Sequence, residues 1–169
     1  MNIKQRHFIK STEIKVLKEE IKEQYDQEFV NKIFPKKCHI ELILTETDDI
    51  LYAVNKDLVL WKSKEHGFIP VLTQLLENKI SLKTVIVDMG AIKFITINRA
   101  DIMRPGITKI DPDIRKNDII RLCDETHNQT LAVGKAIYDA EQMERMEKGK
   151  VIYNLHTIKD DIWKFAKEF

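Results

Sequence analysis

The sequence predicts an α+β protein of two small domains, in which a mixed domain of helices and strands precedes a small β-barrel. Three observations support this prediction. Apolar residues change from helical to alternating spacing after Pro35, a short polar stretch occupies residues 77–84, and strand patterns dominate beyond it. The 169 residues and the 43% hydrophobic content suffice for two such cores. We therefore expect domains at residues 1–80 and 81–169.

The first domain is predicted to open with a short strand, "HFIKS", and two helices. Ser11 is a suitable cap for the first helix, whose apolar residues recur at helical spacing as far as Tyr25. Asp26 is a suitable start for the second helix, and Pro35 ends it.

Alternating residues then predict a meander of three strands over "HIELILT", "ILYAVN" and "LVLW", separated by polar turns. Gly67 interrupts the pattern, and Pro70 suits the first position of a further helix. Helices beside a meander are typical of an α+β unit.

The second domain carries five strand patterns: "TVIVD", "AIKFITI", "DIIRLCD", "TLAVGKAIY" and "KVIYNLH". The intervening "THNQT" is typical of a hairpin loop. One helix is expected at about residues 140–148, with Asp139 as its cap and Gly149 near its end. Short strands at close spacing predict a small barrel with few free edges. Four methionines are expected to fill the core: Met89, Met103, Met143 and Met146.

Charge and composition exclude several classes of function. The net charge of +1 gives no bulk attraction for nucleic acid, so any RNA contact must depend on local clustering. Such a cluster exists between residues 93 and 109, where four cations accompany one anion, Asp101. No apolar run reaches the roughly 18 residues that a membrane span needs. The first ten residues lack the apolar region of a secretion signal, which predicts a cytoplasmic protein.

Motifs that carry catalysis or bind metals are missing from the sequence. It has no glycine-rich phosphate loop and no nucleophile elbow, and its five histidines are isolated from one another. Cys38 and Cys123 lack metal-ligand spacing, so we expect reduced, inert thiols. We expect no catalytic residue, no metal site and no cofactor.

The stretch "DMGAIKFITINRADIMRPGI" is the candidate site. Pro105 fixes φ and Gly106 permits a sharp turn, so the loop is expected to be stiff. A close backbone flanked by Arg99 and Arg104 suits contact with phosphates or base edges, because arginine offers bidentate geometry. The alternative is that Pro-Gly only joins two strands and that both arginines face solvent.

This stretch, followed in order by "NDIIRL", "LAVGKAIYDAEQM", "KGKVIYNLH" and "DDIW", resembles a PUA domain, an RNA-binding module. In the first half, "IFPKK" and "GFIPVLTQLL" resemble the pre-PUA region of the malignant T-cell-amplified-sequence family. The archaeal relatives of that family are stand-alone pre-PUA plus PUA chains. The resemblance covers nearly the whole chain. It implies an N-terminal small α/β pre-PUA domain followed by a C-terminal PUA β-barrel, or pseudobarrel.

In PUA proteins RNA usually lies against the short helix after the first strand, the glycine-containing loop and a neighbouring strand. The resemblance places these elements at about residues 99–103, at residues 104–106, and at the strands around Lys135 and Lys150. The family generally has Gly-Ala where this chain has Arg99-Ala100, and we expect Asn98 to absorb the turn. Arg99 then either adds a phosphate contact or closes a groove. The RNA-binding candidates are Lys93, Arg99, Ala100, Arg104, Pro105, Gly106, Lys109, Lys135 and Lys150.

The resemblance implies a non-enzymatic RNA-binding protein of the translation apparatus that recognises structured RNA, either tRNA or rRNA of the small ribosomal subunit. It also implies a translation-factor protein partner, and neither DNA nor a membrane. Two alternatives stay open. The chain could be a protein–protein adapter that docks through the first domain, which an exposed apolar patch on residues 1–82 would favour. It could also be the detached targeting module of an RNA-modifying enzyme.

Overall fold

The computed structural model describes all 169 residues, and the chain divides into two compact units. The first unit comprises Met1–Ile80 together with Lys164–Phe169, and the second comprises Ser81–Trp163. The last six residues therefore cluster with the first unit, whereas the sequence pattern predicts that all of 81–169 form the second domain. None of the helices combines the length and the apolar character that a membrane crossing requires.

The first unit contains one antiparallel sheet of five strands and three helices. Its strands, hydrogen-bonded in chain order, are β1 (Ile3–Phe8), β2 (Ile40–Thr45), β3 (Ile50–Val54), β4 (Asp57–Ser63) and β5 (Gly67–Pro70). Its helices are α1 (Ser11–Gln24), α2 (Gln27–Ile33) and α3 (Leu72–Leu76). The predicted meander and the first two helices are confirmed.

Local sequence explains where these helices begin. Asp26 caps α2 as predicted, because its Oδ1 accepts the N–H of Phe29 at 2.7 Å. Ser11 differs from its predicted role: Lys10 occupies the cap position, and Ser11 is the first helical residue of α1.

The segment after Gly67 forms a strand rather than the start of a helix. Pro70 ends β5, opposite Leu60 of β4. Proline is tolerated there because β5 is the edge strand of the sheet, where one side of the backbone has no partner strand. Helix α3 begins only at Leu72.

The second unit contains one sheet of six strands. They are β6 (Thr84–Val87), β7 (Ile102–Met103), β8 (Ile107–Ile110), β9 (Ile119–Asp124), β10 (Thr130–Ala136) and β11 (Lys150–Thr157). The helices are α4 (Ala91–Thr96) and α5 (Ala140–Arg145), and α6 (Asp161–Glu168) begins in this unit. The hydrogen-bonded order is β7-β11-β10-β9-β6-β8, with β6 parallel to β9.

This sheet curls because its two edge strands, β7 and β8, are joined by only three residues, Arg104–Gly106. Gly134 in β10 permits close approach of β11: a Cβ there would lie 2.6 Å from Cγ2 of Ile152 and 2.9 Å from the carbonyl oxygen of Tyr153. Aliphatic side chains fill the inside of the curl. The predicted α+β fold with a C-terminal pseudobarrel is confirmed.

Candidate nucleic-acid interface

Helix α4 forms where the sequence analysis predicts a strand, and also before residues 99–103, where the resemblance places the short helix. The carboxylate of Asp88 accepts the N–H of Ala91 at 2.8 Å and so begins the helix. Ile95 is buried, whereas the neighbouring Phe94 is 59% exposed. The strand prediction was wrong because six residues are too few to show whether the apolar side chains follow helical or alternating spacing. Isoleucine and threonine also favour strands.

The chain leaves α4 through a left-handed residue, Arg99, whose φ is 54°. The expectation that Asn98 absorbs this turn was therefore wrong. The N–H of Ala100 bonds to the carbonyl of Phe94 at 2.9 Å and closes the turn. The half-exposed guanidinium of Arg99 lies 3.8 Å from the carboxylate of Asp161.

Arg99→Gly is expected to be about 1 kcal/mol more stable than Arg99→Ala, as measured by urea unfolding. Both variants lose the ion pair with Asp161, but only glycine adopts the left-handed backbone without a steric cost. Equal unfolding midpoints for the two variants would show that the turn is not strained.

The guanidinium of Arg104 is directed into the domain. Its Nε donates to the carbonyl of Met143 at 2.6 Å, and one terminal nitrogen donates to the carbonyl of Ile107 at 3.2 Å. The other terminal nitrogen lies 3.6 Å from the carboxylate of Glu144, and only 17% of the side chain is exposed. Arg104 therefore does not form the predicted exposed pair with Arg99, because it bonds to the last turn of α5, where a cation is favoured.

A groove of about 370 Å³ lies between α4 and the exit turn, as we call Arg104–Gly106. A Cβ added to Gly106 would lie 3.4 Å from the Cβ of Ala91, so the small residues let the helix and the turn come close together. The backbone of Gly106 is not left-handed, so the glycine gives room for the close approach of α4 and does not supply the special backbone conformation of the sharp turn that was predicted. We call this cleft the α4 groove.

The α4 groove combines apolar walls with hydrogen-bond acceptors. Phe94 and Met103 line it and are 59% and 51% exposed. The carboxylates of Asp88 and Asp101 also line it, whereas no lysine or arginine does. Such a lining suits a flat, partly apolar group that carries N–H donors rather than a phosphate.

Cations lie around the α4 groove instead of inside it. Lys93 is exposed on α4 and makes no ion pair. The Nζ of Lys150 lies 3.2 Å from the carboxylate of Asp101 and 5.1 Å from the centre of the Tyr153 ring. Lys135 is opposite Tyr153 in the β10–β11 register.

The predicted candidates therefore differ in where they lie. Pro105 and Gly106 line the groove, while Lys93, Arg99, Lys135 and Lys150 belong to the elements beside it. Ala100 is half-buried and has a structural role, because its carbonyl accepts Nδ2 of Asn154 at 3.1 Å. Arg104 is bonded internally. Lys109 lies on β8 and lines a different pocket.

The apolar part of the groove was not predicted from the sequence. Met89 and Met103 are 44% and 51% exposed, so the prediction that they fill the core was wrong, whereas Met143 is buried and Met146 packs against the core as predicted. Phe94 was assigned to a strand. Asp88, three positions before Ala91, was the sign that a helix begins there, and a helix would have placed Phe94 on an exposed face.

Two family profiles match the chain: one described as a pre-PUA-like domain over residues 1–78, and one described as a PUA domain over residues 83–158. An uncharacterized protein of Methanocaldococcus jannaschii is 37% identical over 165 residues, which are 98% of this chain and 99% of that protein. Translation machinery-associated protein 20 of Saccharomyces cerevisiae is 31% identical over 99% of this chain and 96% of its own. Malignant T-cell-amplified sequence 1 of Rattus norvegicus is 31% identical over 92% and 87%.

Solved structures share the fold. A hypothetical protein of Pyrococcus horikoshii superposes with a TM-score of 0.80 at 24% identity and covers 96% of this chain and 99% of its own. A PUA-domain structure from Aeropyrum pernix superposes with a TM-score of 0.81 at 20% identity and covers 96% and 91%.

Proposed function

Since this chain belongs to the malignant T-cell-amplified-sequence family of pre-PUA plus PUA proteins, we propose that it is a non-enzymatic RNA-binding protein of the translation apparatus. Relatives named for the translation machinery support this setting, and the PUA profile supports RNA as the ligand. The observation that carries the proposal is the α4 groove, whose apolar walls and acceptors are bordered by cations. The proposed ligand is structured RNA, either tRNA or rRNA of the small subunit, in the cytoplasm.

An unpaired base is the part of RNA that fits this groove. Phe94 offers an exposed aromatic face for stacking, which contributes about 1–3 kcal/mol per base. The carboxylates of Asp88 and Asp101 are acceptors for the amino group of a base. In a base pair this amino group already bonds to the partner base, so the groove favours unpaired bases in loops, in bulges and at free ends.

Phosphates are proposed to bind the cations beside the groove, namely Lys93, Arg99 and Lys150. Three such contacts to single-stranded RNA contribute about −2 to the slope of log affinity against log salt concentration. This modest salt dependence agrees with a chain whose net charge is only +1.

Phe94→Ala is expected to weaken binding of bulk tRNA about tenfold or more and to leave the salt slope unchanged, because it removes stacking but no charge. Fluorescence anisotropy of labelled tRNA at four salt concentrations measures both quantities. Val16→Ala, which truncates a 60% exposed apolar residue of the first unit, is the control and is expected to bind like the unmodified chain. Equal affinity of Phe94→Ala and the control would remove the groove from the RNA site.

A second candidate function is a protein adapter, and one observation favours it. The first unit exposes large apolar side chains, with Ile3, Phe8 and Val16 at 41%, 63% and 60%. Such side chains are typical of docking surfaces when they are contiguous. Affinity purification that returns ribosomes without a stoichiometric protein partner would contradict the adapter and leave the RNA proposal standing.

A further inference from the structure

A second pocket, of about 390 Å³, opens on the curled sheet of the second unit where β8, β6 and β9 lie side by side. Thr84 and Ile86 of β6 line it, whereas the alternate residues Val85 and Val87 are fully buried in the core. The pocket is therefore on the face of the sheet opposite the core. It shares no residue with the α4 groove, and we call it the sheet pocket.

Arg121 of β9 is held in place at the sheet pocket. Its Nε donates to Oγ1 of Thr130 at 2.7 Å, and a terminal nitrogen donates to the carbonyl of Asn128 at 2.9 Å. A guanidinium has five N–H donors, so three are left for a ligand. An orientation fixed by the protein lowers the entropy cost of binding an anion.

Lys109 of β8 is the second cation of the sheet pocket, and it is exposed and bonded to no carboxylate. Strand β6 separates it from Arg121, which places the two backbones about 10 Å apart across the sheet. The one carboxylate in the lining is that of Asp111, whose Oδ1 accepts the N–H of Asp113 at 3.0 Å. Two cations against one anion favour an anionic ligand, in contrast to the α4 groove.

The sheet pocket and the α4 groove are close along the chain. Gly106 lines the groove, and Lys109 lies three residues further along, at about 10 Å in an extended strand. A nucleotide in the groove and a phosphate in the sheet pocket can therefore belong to one RNA.

We propose that the sheet pocket binds a phosphodiester group of the same RNA, with Arg121 as its bidentate partner and Lys109 as the second cation. This inference rests on the proposed function and adds a second point of contact to it. The RNA then meets two differently built sites, one for a base and one for the backbone.

Lys109→Gln tests the proposal on the full chain with labelled bulk tRNA. Loss of one phosphate contact is expected to weaken binding about fivefold at 0.1 M salt and to reduce the salt slope by about 0.7–0.9. Lys116→Gln is the matched control, because Lys116 is an exposed lysine of the same unit that lines neither site. An unchanged slope in Lys109→Gln, or an equal loss in Lys116→Gln, would overturn the proposal.

Arg121→Lys gives an independent measurement. Lysine keeps the charge but cannot bind a phosphate in a bidentate manner, so we expect weaker tRNA binding with an unchanged salt slope. Because the hydrogen bonds to Thr130 and to the Asn128 carbonyl are also lost, the melting temperature is expected to fall, and binding is measured well below it. Affinity equal to that of the unmodified chain would contradict a bidentate contact. A titration with inorganic phosphate, followed by amide shifts, identifies the source of the anion. Shifts at β8 and β9 together with normal tRNA binding by Lys109→Gln would indicate a site for small anions and overturn an RNA contact.

Phe94→Ala, measured in parallel, separates this inference from the proposed function. If Phe94→Ala weakens tRNA binding and Lys109→Gln does not, the groove stands and the sheet pocket is excluded. If the unmodified chain does not bind tRNA, both proposals fail for that ligand.

Discussion

Arg104→Gln is expected to lower the free energy of unfolding by about 2–4 kcal/mol, a larger loss than any substitution beside the α4 groove should cause. The guanidinium donates to the carbonyls of Met143 and Ile107, and hydrogen bonds from charged groups contribute about 1.5–3 kcal/mol each. Glutamine is too short to reach both carbonyls, which are then left without a donor. Because these bonds join the exit turn to α5, the groove should also loosen.

Urea unfolding followed by tryptophan fluorescence and circular dichroism measures this loss. Arg145→Gln is the control, because Arg145 makes an exposed ion pair with Glu141 and its side chain is 77% exposed, so about 0–0.5 kcal/mol is expected. A stable Arg104→Gln chain that no longer binds tRNA would restore Arg104 as a ligand contact. It would then contradict the structural role assigned to it here.

Asp124→Ala is expected to lower the free energy of unfolding by a similar amount, about 2–4 kcal/mol at neutral pH. The carboxylate is 4% exposed and accepts the backbone N–H groups of Thr126, His127 and Gln129 at 3.0, 2.6 and 2.9 Å. These bonds shape the loop between β9 and β10. Alanine leaves the three donors unpaired, whereas Asp124→Asn keeps one acceptor and should lose less.

The stabilisation by Asp124 should depend on pH. The backbone N–H of His127 lowers the pKa of the Asp124 carboxyl first, opposed by burial and assisted by the N–H groups of Gln129 and Thr126. A lowered folded-state pKa means that the full contribution is present above the unfolded value of about 4 and is lost as pH falls through the folded value. The difference in stability between the unmodified chain and Asp124→Ala should therefore be constant from pH 5 to 7 and shrink below pH 4. A difference that grows on acidification would show that the carboxylate is not stabilised by these donors.

Periodicity in the sequence was enough to predict most of the fold. Apolar strands bounded by polar residues, such as β2 and β9, and helices with a polar cap, such as α2 and α5, were predicted correctly. The failures are short segments whose fate depends on distant partners. α4 has too few residues for a period, and β7 exists only because two residues pair with β11.

The stretch that the sequence marks as the candidate site lines the α4 groove, but the chemistry of the groove was not predicted. The sequence shows that Arg104 precedes Pro105, but the carbonyl of Met143 that fixes its side chain comes from a helix far along the chain. Likewise, nothing local shows that Lys109 and Arg121 meet at one pocket, because the parallel pairing of β6 with β9 brings them together. The left-handed backbone of Arg99 could be predicted only from the glycine that the family has at this position. Asn98 was expected to adopt this conformation because asparagine tolerates it better than arginine does.

The parallel pairing of β6 with β9 should delay folding of the second unit during synthesis. Once β8 has also left the ribosome, β6 can pair with it, but the other side of β6 has no partner strand until Ile119–Asp124 has been translated. Until then an apolar pair of strands with an open edge should be exposed to other nascent chains. Pairing of β6 with β9 must bring together strands separated by the whole segment from α4 to β8, so this step should set the refolding rate of the unit. The need for chaperones should be greatest just before β9 leaves the ribosome.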